Sequence, residues 1–137
     1  MKRIVLDNGL RIISLKKPKD YTTRIAIGIN YGPSYETKKL CAIPHSLEHM
    51  IFRDTKKHTY EQIIEKISSC GGFTNGLTRD EDLIFIGYSP SKNFKYILNP
   101  FLELVLEPSF KLKDFKKEKD IILNEIFERI DSPYTHR

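Results

Sequence analysis

Hydrophobic and polar positions alternate along the first thirty residues and then give way to helical spacing. Ile4–Leu6 and Leu10–Leu15 flank Asp7-Asn8-Gly9. An Asn-Gly between two β-rich runs predicts a hairpin. In Thr22–Asn30, Ile25, Ile27 and Ile29 share one face, while Arg24, Ala26 and Gly28 share the other. That period of two predicts a half-buried strand.

Tyr31-Gly32-Pro33-Ser34 ends the strand in a loop. Leu40 to Phe52 reads as a helix, with Pro44 near its first turn, where a missing N–H costs least. Thr59 is placed to cap a second helix, Tyr60–Ser69, whose Ile63, Ile64 and Ile67 form one stripe before Gly71-Gly72. Gly72–Thr78 and Leu83–Ser89 predict two more strands around the turn Arg79-Asp80-Glu81-Asp82. Ser91–Leu106 has helical spacing, and Pro100 is expected to kink or split it. A last helix is predicted from Asp114 to Ile130. Its apolar set, including Phe115, Ile122, Phe127 and Ile130, is broad enough for a buried helix. The order of elements predicts an α+β fold, an antiparallel-rich sheet with helices packed on one face.

The chain has 137 residues, the size of one compact domain, and no repeat, linker or low-complexity tract divides it. A composition 39% hydrophobic and 30% charged is that of a globular protein. The net charge of +5 raises the question of nucleic acid. The densest basic runs, Arg11–Lys19 and Lys111–Lys119, do not interleave aromatics in the way a base-stacking surface would and carry no recognition signature, so a basic binding module is the weaker reading. Cys41 and Cys70 lack the spacing of a disulfide framework or a cysteine metal site. No run is long and apolar enough for a signal peptide or membrane span, and a reduced, cytoplasmic location is the expectation.

The chemistry is concentrated in His45-Ser46-Leu47-Glu48-His49. On a helix, residues four apart lie on one face, so the two imidazoles can meet at one point. Zinc takes such nitrogens, and a catalytic site needs three protein ligands and one open position. Glu48 lies beside the pair without having to be a ligand, as a general base would. A surface cluster of hydrogen-bonded side chains is the plainer alternative. Glu118 and Glu125 are seven residues apart, two turns along one face of the last helix. Glu125 sits among Ile121, Ile122, Leu123, Ile126 and Phe127, where a carboxylate is costly unless paired. A metal would pair it; an ordinary exposed position on an amphipathic helix is the plainer alternative.

Taken together, these motifs resemble the pitrilysin and insulinase-type zinc peptidases, the inverzincins, which include mitochondrial processing peptidases. The family signature is H-x-x-E-H with a glutamate ligand 76 positions after the second histidine, and Glu125 stands 76 positions after His49. HSLEHMIF resembles its H-F-L-E-H-M-x-F, GGFTNGLT its G-G-x-x-N-A-x-T, and ILNEI its V-x-x-E-I. Asp7-Asn8-Gly9-Leu10 matches the N-terminal hairpin, and Gly32 with Glu36 fits a G-x-x-x-E before the site.

The resemblance implies that His45, His49 and Glu125 hold zinc. Glu48 and Glu118 would be the catalytic carboxylates: Glu48 the general base, Glu118 orienting a ligand or supporting the active-site water. Asn75 would hold the backbone of a peptide added as a strand to the sheet edge. A His₂Glu site also accepts manganese or cobalt. Ser46, Pro44, Gly76, Asn124 and Arg53-Asp54-Thr55 stand where Phe, Ala, Ala, Glu and Lys-Gly-Thr are usual.

Family members enclose substrate between two lobes, each longer than this chain, and the second lobe is implied to supply an Arg and a Tyr to the transition state. The expectation is therefore a truncated N-terminal part of the catalytic lobe. It would bind zinc but cleave unfolded polypeptides poorly alone, needing a second lobe or partner subunit, or assembling as a homo-oligomer. A non-catalytic scaffold of the same family is the rival.

Overall fold

A computed structural model describes residues 1–131. The Asn-Gly hairpin forms as β1 (Lys2–Val5) and β2 (Arg11–Ser14), paired antiparallel with Val5 opposite Arg11. Asn8 fixes the turn, its side-chain Oδ1 accepting the Leu10 N–H at 3.1 Å. The two strands make a sheet of their own and every residue in them is exposed. Local pairing signals were enough to form the ribbon, while its place relative to the other strands was not legible in them.

The second sheet is three-stranded, in the order β3 (Thr22–Ile29), β5 (Leu83–Pro90), β4 (Phe73–Thr78), antiparallel throughout. Its register puts Ile25 opposite Gly87, Ile27 opposite Phe85 and Ile29 opposite Leu83. Across β5, Gly76 faces Phe85 and Thr78 faces Leu83. Because side chains alternate, this one face carries the isoleucines, Leu83, Phe85, Gly76 and Thr78 together.

Helices cover that face. α1 (Ile43–Ile51) lies against β4, α3 (Phe94–Leu106) against β5, and α2 (Tyr60–Ser69) against α3. Phe85, Ile63, Ile67, Ile97, Phe101 and Leu104 are almost wholly removed from water and form the centre of the core. The α2 stripe is thus buried as its spacing predicts. Thr59 caps it in a full capping box: its hydroxyl accepts from Gln62 N, and Gln62 Oε1 accepts from Thr59 N at 3.0 Å. Gly71, at φ +70°, ends the helix in a conformation that a side chain disfavours.

Two expectations are corrected. α3 is continuous through Pro100 and is preceded by a 3₁₀ turn at Ser91–Asn93. Burial of Ile97, Phe101 and Leu104 on either side of Pro100 outweighs the one backbone bond it cannot make. α4 (Leu112–Asp131) is not a buried helix: among side chains described up to Glu128, only Glu118 and Ile122 are buried, and Phe115 and Phe127 are exposed. It rests on α1 along one narrow stripe. Ile130, which the sequence places on the apolar face, lies outside the described side chains. No helix among the described residues is long and apolar enough to cross a membrane.

The loop after α1 is tied to the connection between α3 and α4. Asp54 O accepts from Ser109 N at 2.9 Å, Lys56 N donates to Glu107 O at 3.0 Å, and Lys111 Nζ pairs with Asp54 Oδ2 at 2.7 Å. Within this knot Glu103 Oε1 accepts from Thr55 Oγ1 at 2.6 Å and contacts His58 Nδ1 at 2.8 Å. Burial pushes the Glu103 carboxyl up, but the Thr55 and His58 hydrogen bonds outweigh it and hold the group below its usual range. Asp54 is held low chiefly by its hydrogen bond from Lys111.

A depressed folded-state pKa gives stability that is present above the unfolded value and lost as pH falls through the folded one. Thermal unfolding is therefore expected to move to lower temperature as pH drops below about 4.3, the ordinary Glu value. Glu103→Gln is expected to cost about 1–3 kcal/mol at neutral pH and to flatten the acid limb. An acid limb of unchanged depth in that variant would place the sensitivity on other carboxylates.

Candidate metal centre

α1 begins under some strain. Ala42 precedes its first turn at φ 62°, a left-handed conformation that costs a non-glycine residue roughly 1–2 kcal/mol. Two of the unusual residues noted in the sequence act here. Pro44 lies buried in the first turn and supplies a fixed φ. Ser46 accounts for both bonds to the Ala42 carbonyl, through its N–H at 2.9 Å and its hydroxyl at 2.7 Å. The start of the histidine-bearing helix is thereby fixed.

One turn apart on α1, His45 and His49 bring their Nε2 atoms to 3.2 Å, with the rings edge to face. Glu125 enters from α4, its Oε2 lying 3.3 Å from His45 Nε2 and 3.7 Å from His49 Nε2. Among the described residues these three form the cluster of His, Cys, Asp and Glu side chains able to hold a metal ion. For ligand bonds of roughly 2.0–2.1 Å in a tetrahedral site, donors stand about 3.3 Å apart. Two of the three separations, 3.2 and 3.3 Å, match that value and the third, 3.7 Å, is somewhat wider, and the donor set fits zinc. Glu125 is more open than its apolar neighbours in sequence suggest, with 38% of its side chain exposed.

Glu118, two turns before Glu125, is buried to 3% exposure. Its Oε2 lies 2.9 Å from His49 Nδ1. A carboxylate only accepts, so His49 donates from Nδ1 and turns the Nε2 lone pair toward the cluster. The other oxygen, Oε1, accepts from Arg53, just beyond α1. Glu118 thus orients the His49 ring.

Glu48, not one of the three clustered residues, lies against β4. Its Oε2 accepts from the Thr78 hydroxyl. Gly76 makes room for it: a Cβ there would stand 2.7 Å from Glu48 Cγ, 2.7 Å from Phe52 Cε2 and 3.0 Å from Glu48 Oε1. Asn75 alternates to the opposite face of β4 and is exposed, so its side chain does not join the cluster. It lies on an edge strand, paired on one side only, to Ile86 of β5. Thr78 and Arg53 were not assigned roles from sequence. The inward parity of Thr78 with Gly76 is a signal for the first, and a buried carboxylate in want of a cation is one for the second.

Residues 11–136 match the family described as Insulinase (Peptidase family M16). The chain belongs to that family. It is 29% identical to an uncharacterized zinc protease, YmxG, of Bacillus subtilis, over 97% of this chain and 32% of the relative. It is 34% identical to an uncharacterized zinc protease of Rickettsia bellii, over 93% of this chain and 31% of that one. A protease from Helicobacter pylori superposes with a TM-score of 0.89 at 24% identity, over 98% of this chain and 32% of that structure, and shares the fold. The chain spans about a third of the length of these relatives.

The contact at Gly76 is directly testable. Gly76→Ala is expected to destabilise the chain by about 1–3 kcal/mol in denaturant unfolding, because Glu48 and Phe52 must give way. An unchanged midpoint would show that both side chains swing aside freely and that the close approach constrains nothing.

Proposed function

We propose that this chain carries the metal-binding and proton-transferring half of a zinc-dependent endopeptidase. The observation that supports it most is the meeting of His45 Nε2, His49 Nε2 and Glu125 Oε2 at the mutual distances of a tetrahedral ligand set. Zinc held there supplies Lewis-acid activation of water and of a peptide carbonyl. Glu48, adjacent to His49 and held by Thr78, takes the proton of the attacking water and returns it to the leaving amine. His45 and His49 hold the metal from one helix and Glu125 from another. Glu118 keeps His49 in the ligating tautomer.

The substrate we propose is an unfolded polypeptide added as a strand to the free edge of β4. Main-chain bonds along the Asn75 stretch would give affinity there. Because β4 also carries Thr78 and Gly76, the strand that would receive substrate is the one that holds the base. A second lobe or partner subunit is proposed to close over this edge, so that the chain alone binds metal but turns over peptide poorly.

Elemental analysis tests this reading on the wild-type chain beside three variants. Near one zinc per chain is expected in the wild type and in Glu48→Gln, none in His49→Ala, and weakened retention in Glu125→Gln. No zinc in any of them after reconstitution would favour a non-catalytic scaffold instead.

A further inference from the structure

We propose that Arg53 is a positioning residue for the metal centre, acting through Glu118 to hold both the His49 ring and the helix that carries Glu125. The inference rests on the zinc reading above and extends it to a residue outside the ligand set.

Arg53 donates to Glu118 Oε1 while Oε2 of the same carboxylate engages His49 Nδ1 at 2.9 Å. Glu118 is 3% exposed and Arg53 40% exposed, so the guanidinium reaches from the surface to a charge that water does not reach. A buried carboxylate without a cation is strongly unfavourable. Stripped of Arg53 it would turn toward solvent, and the His49 ring would lose the acceptor that fixes its orientation. Metal ligands held this way typically lose roughly 10- to 100-fold in affinity when the outer partner is removed.

The second consequence concerns α4. Its buried anchors among the described side chains are Glu118 and Ile122. Glu118 is the polar one of the two, and it lies two turns before Glu125 on the same helix face. Arg53 follows directly on α1 and its C-cap, Phe52. Its bond to Glu118 therefore joins the helix of His45 and His49 to the helix of Glu125 at a point close to the donors. The planar, always charged guanidinium suits a fixed bond to one carboxylate oxygen, whereas Lys, usual here in the family, offers a shorter-lived point contact.

The test is the zinc dissociation constant of the full 137-residue chain, measured by competition with a chromophoric chelator. Far-UV circular dichroism on the metal-free protein checks the fold. Arg53→Met is expected to weaken zinc binding roughly 10- to 100-fold, and Arg53→Lys to recover most of the loss. Arg53→Met strands a buried charge, so it is read beside the Arg53→Met/Glu118→Gln pair, which strands none. If Arg53 acts through Glu118, the pair binds zinc no more weakly than Glu118→Gln alone.

A folded Arg53→Met chain with wild-type affinity would overturn the inference, as would a pair whose loss is the product of the two single losses. Wild-type zinc binding that His49→Ala abolishes and Arg53→Met leaves intact would sink this inference alone. Absence of zinc binding in the wild type would sink the functional reading and this one with it.

Discussion

The site depends on one buried carboxylate. Glu118 has lost its water, and a carboxylate in that position persists only if its oxygens are filled by donors. One oxygen takes Arg53 and the other takes His49. The requirement works outward in both directions. It fixes the tautomer and tilt of the His49 ring, and it sets the rotation of α4, because a helix anchored by Glu118 must present Glu125 two turns later on the same side. A seven-residue spacing that is only a pattern in sequence becomes a geometric constraint once its first member is buried.

α4 needs such an anchor because it has few others. Most of its apolar side chains are exposed, so packing does not choose its rotation. The helix is instead located by polar ties at its start, where the 54–56 stretch bonds to Glu107, Ser109 and Lys111, and by Glu118 in its middle. Hydrogen bonds to charged groups, worth about 1.5–3 kcal/mol each, are directional in a way that apolar burial is not. They suit a helix whose task is to bring one oxygen within ligand range of two imidazoles.

How much of this was legible in the sequence follows from whether a signal is local. The Thr59 capping box, the Ile25-Ile27-Ile29 face and the turn-side ends of β4 and β5, Thr78 and Leu83, depend on near neighbours, and they read correctly. So did the meeting of His45 and His49, because two histidines four apart on a helix come together by helix geometry alone. Glu125 was singled out by its apolar neighbours, but its pairing with the histidines came from a family spacing, since no local rule brings residue 125 to residue 49. The misreadings were tertiary. Pro100 was expected to kink or split a helix that core burial of Ile97, Phe101 and Leu104 keeps in one piece, and α4 was expected to be buried because apolar content says nothing about whether a partner surface is there. Arg53 and Thr78 lie outside the ligand set, and their roles exist only once distant elements have packed.

The two carboxylates beside His49 show how environment separates roles that sequence leaves alike. Glu118 has both oxygens engaged by donors in a place closed to water, which suits it to orienting the His49 ring. Glu48 is half-buried, takes its bond from a neutral hydroxyl on one oxygen, and lies against the edge strand. A hydroxyl donor steadies a carboxylate without neutralising it as a guanidinium does. Glu48 is thus left partly open beside the edge strand, while Glu118 is sealed from water. Gly76 completes the distinction: the missing Cβ lets Glu48 settle against β4, so the group that would move the proton and the strand that would align the peptide are one rigid unit.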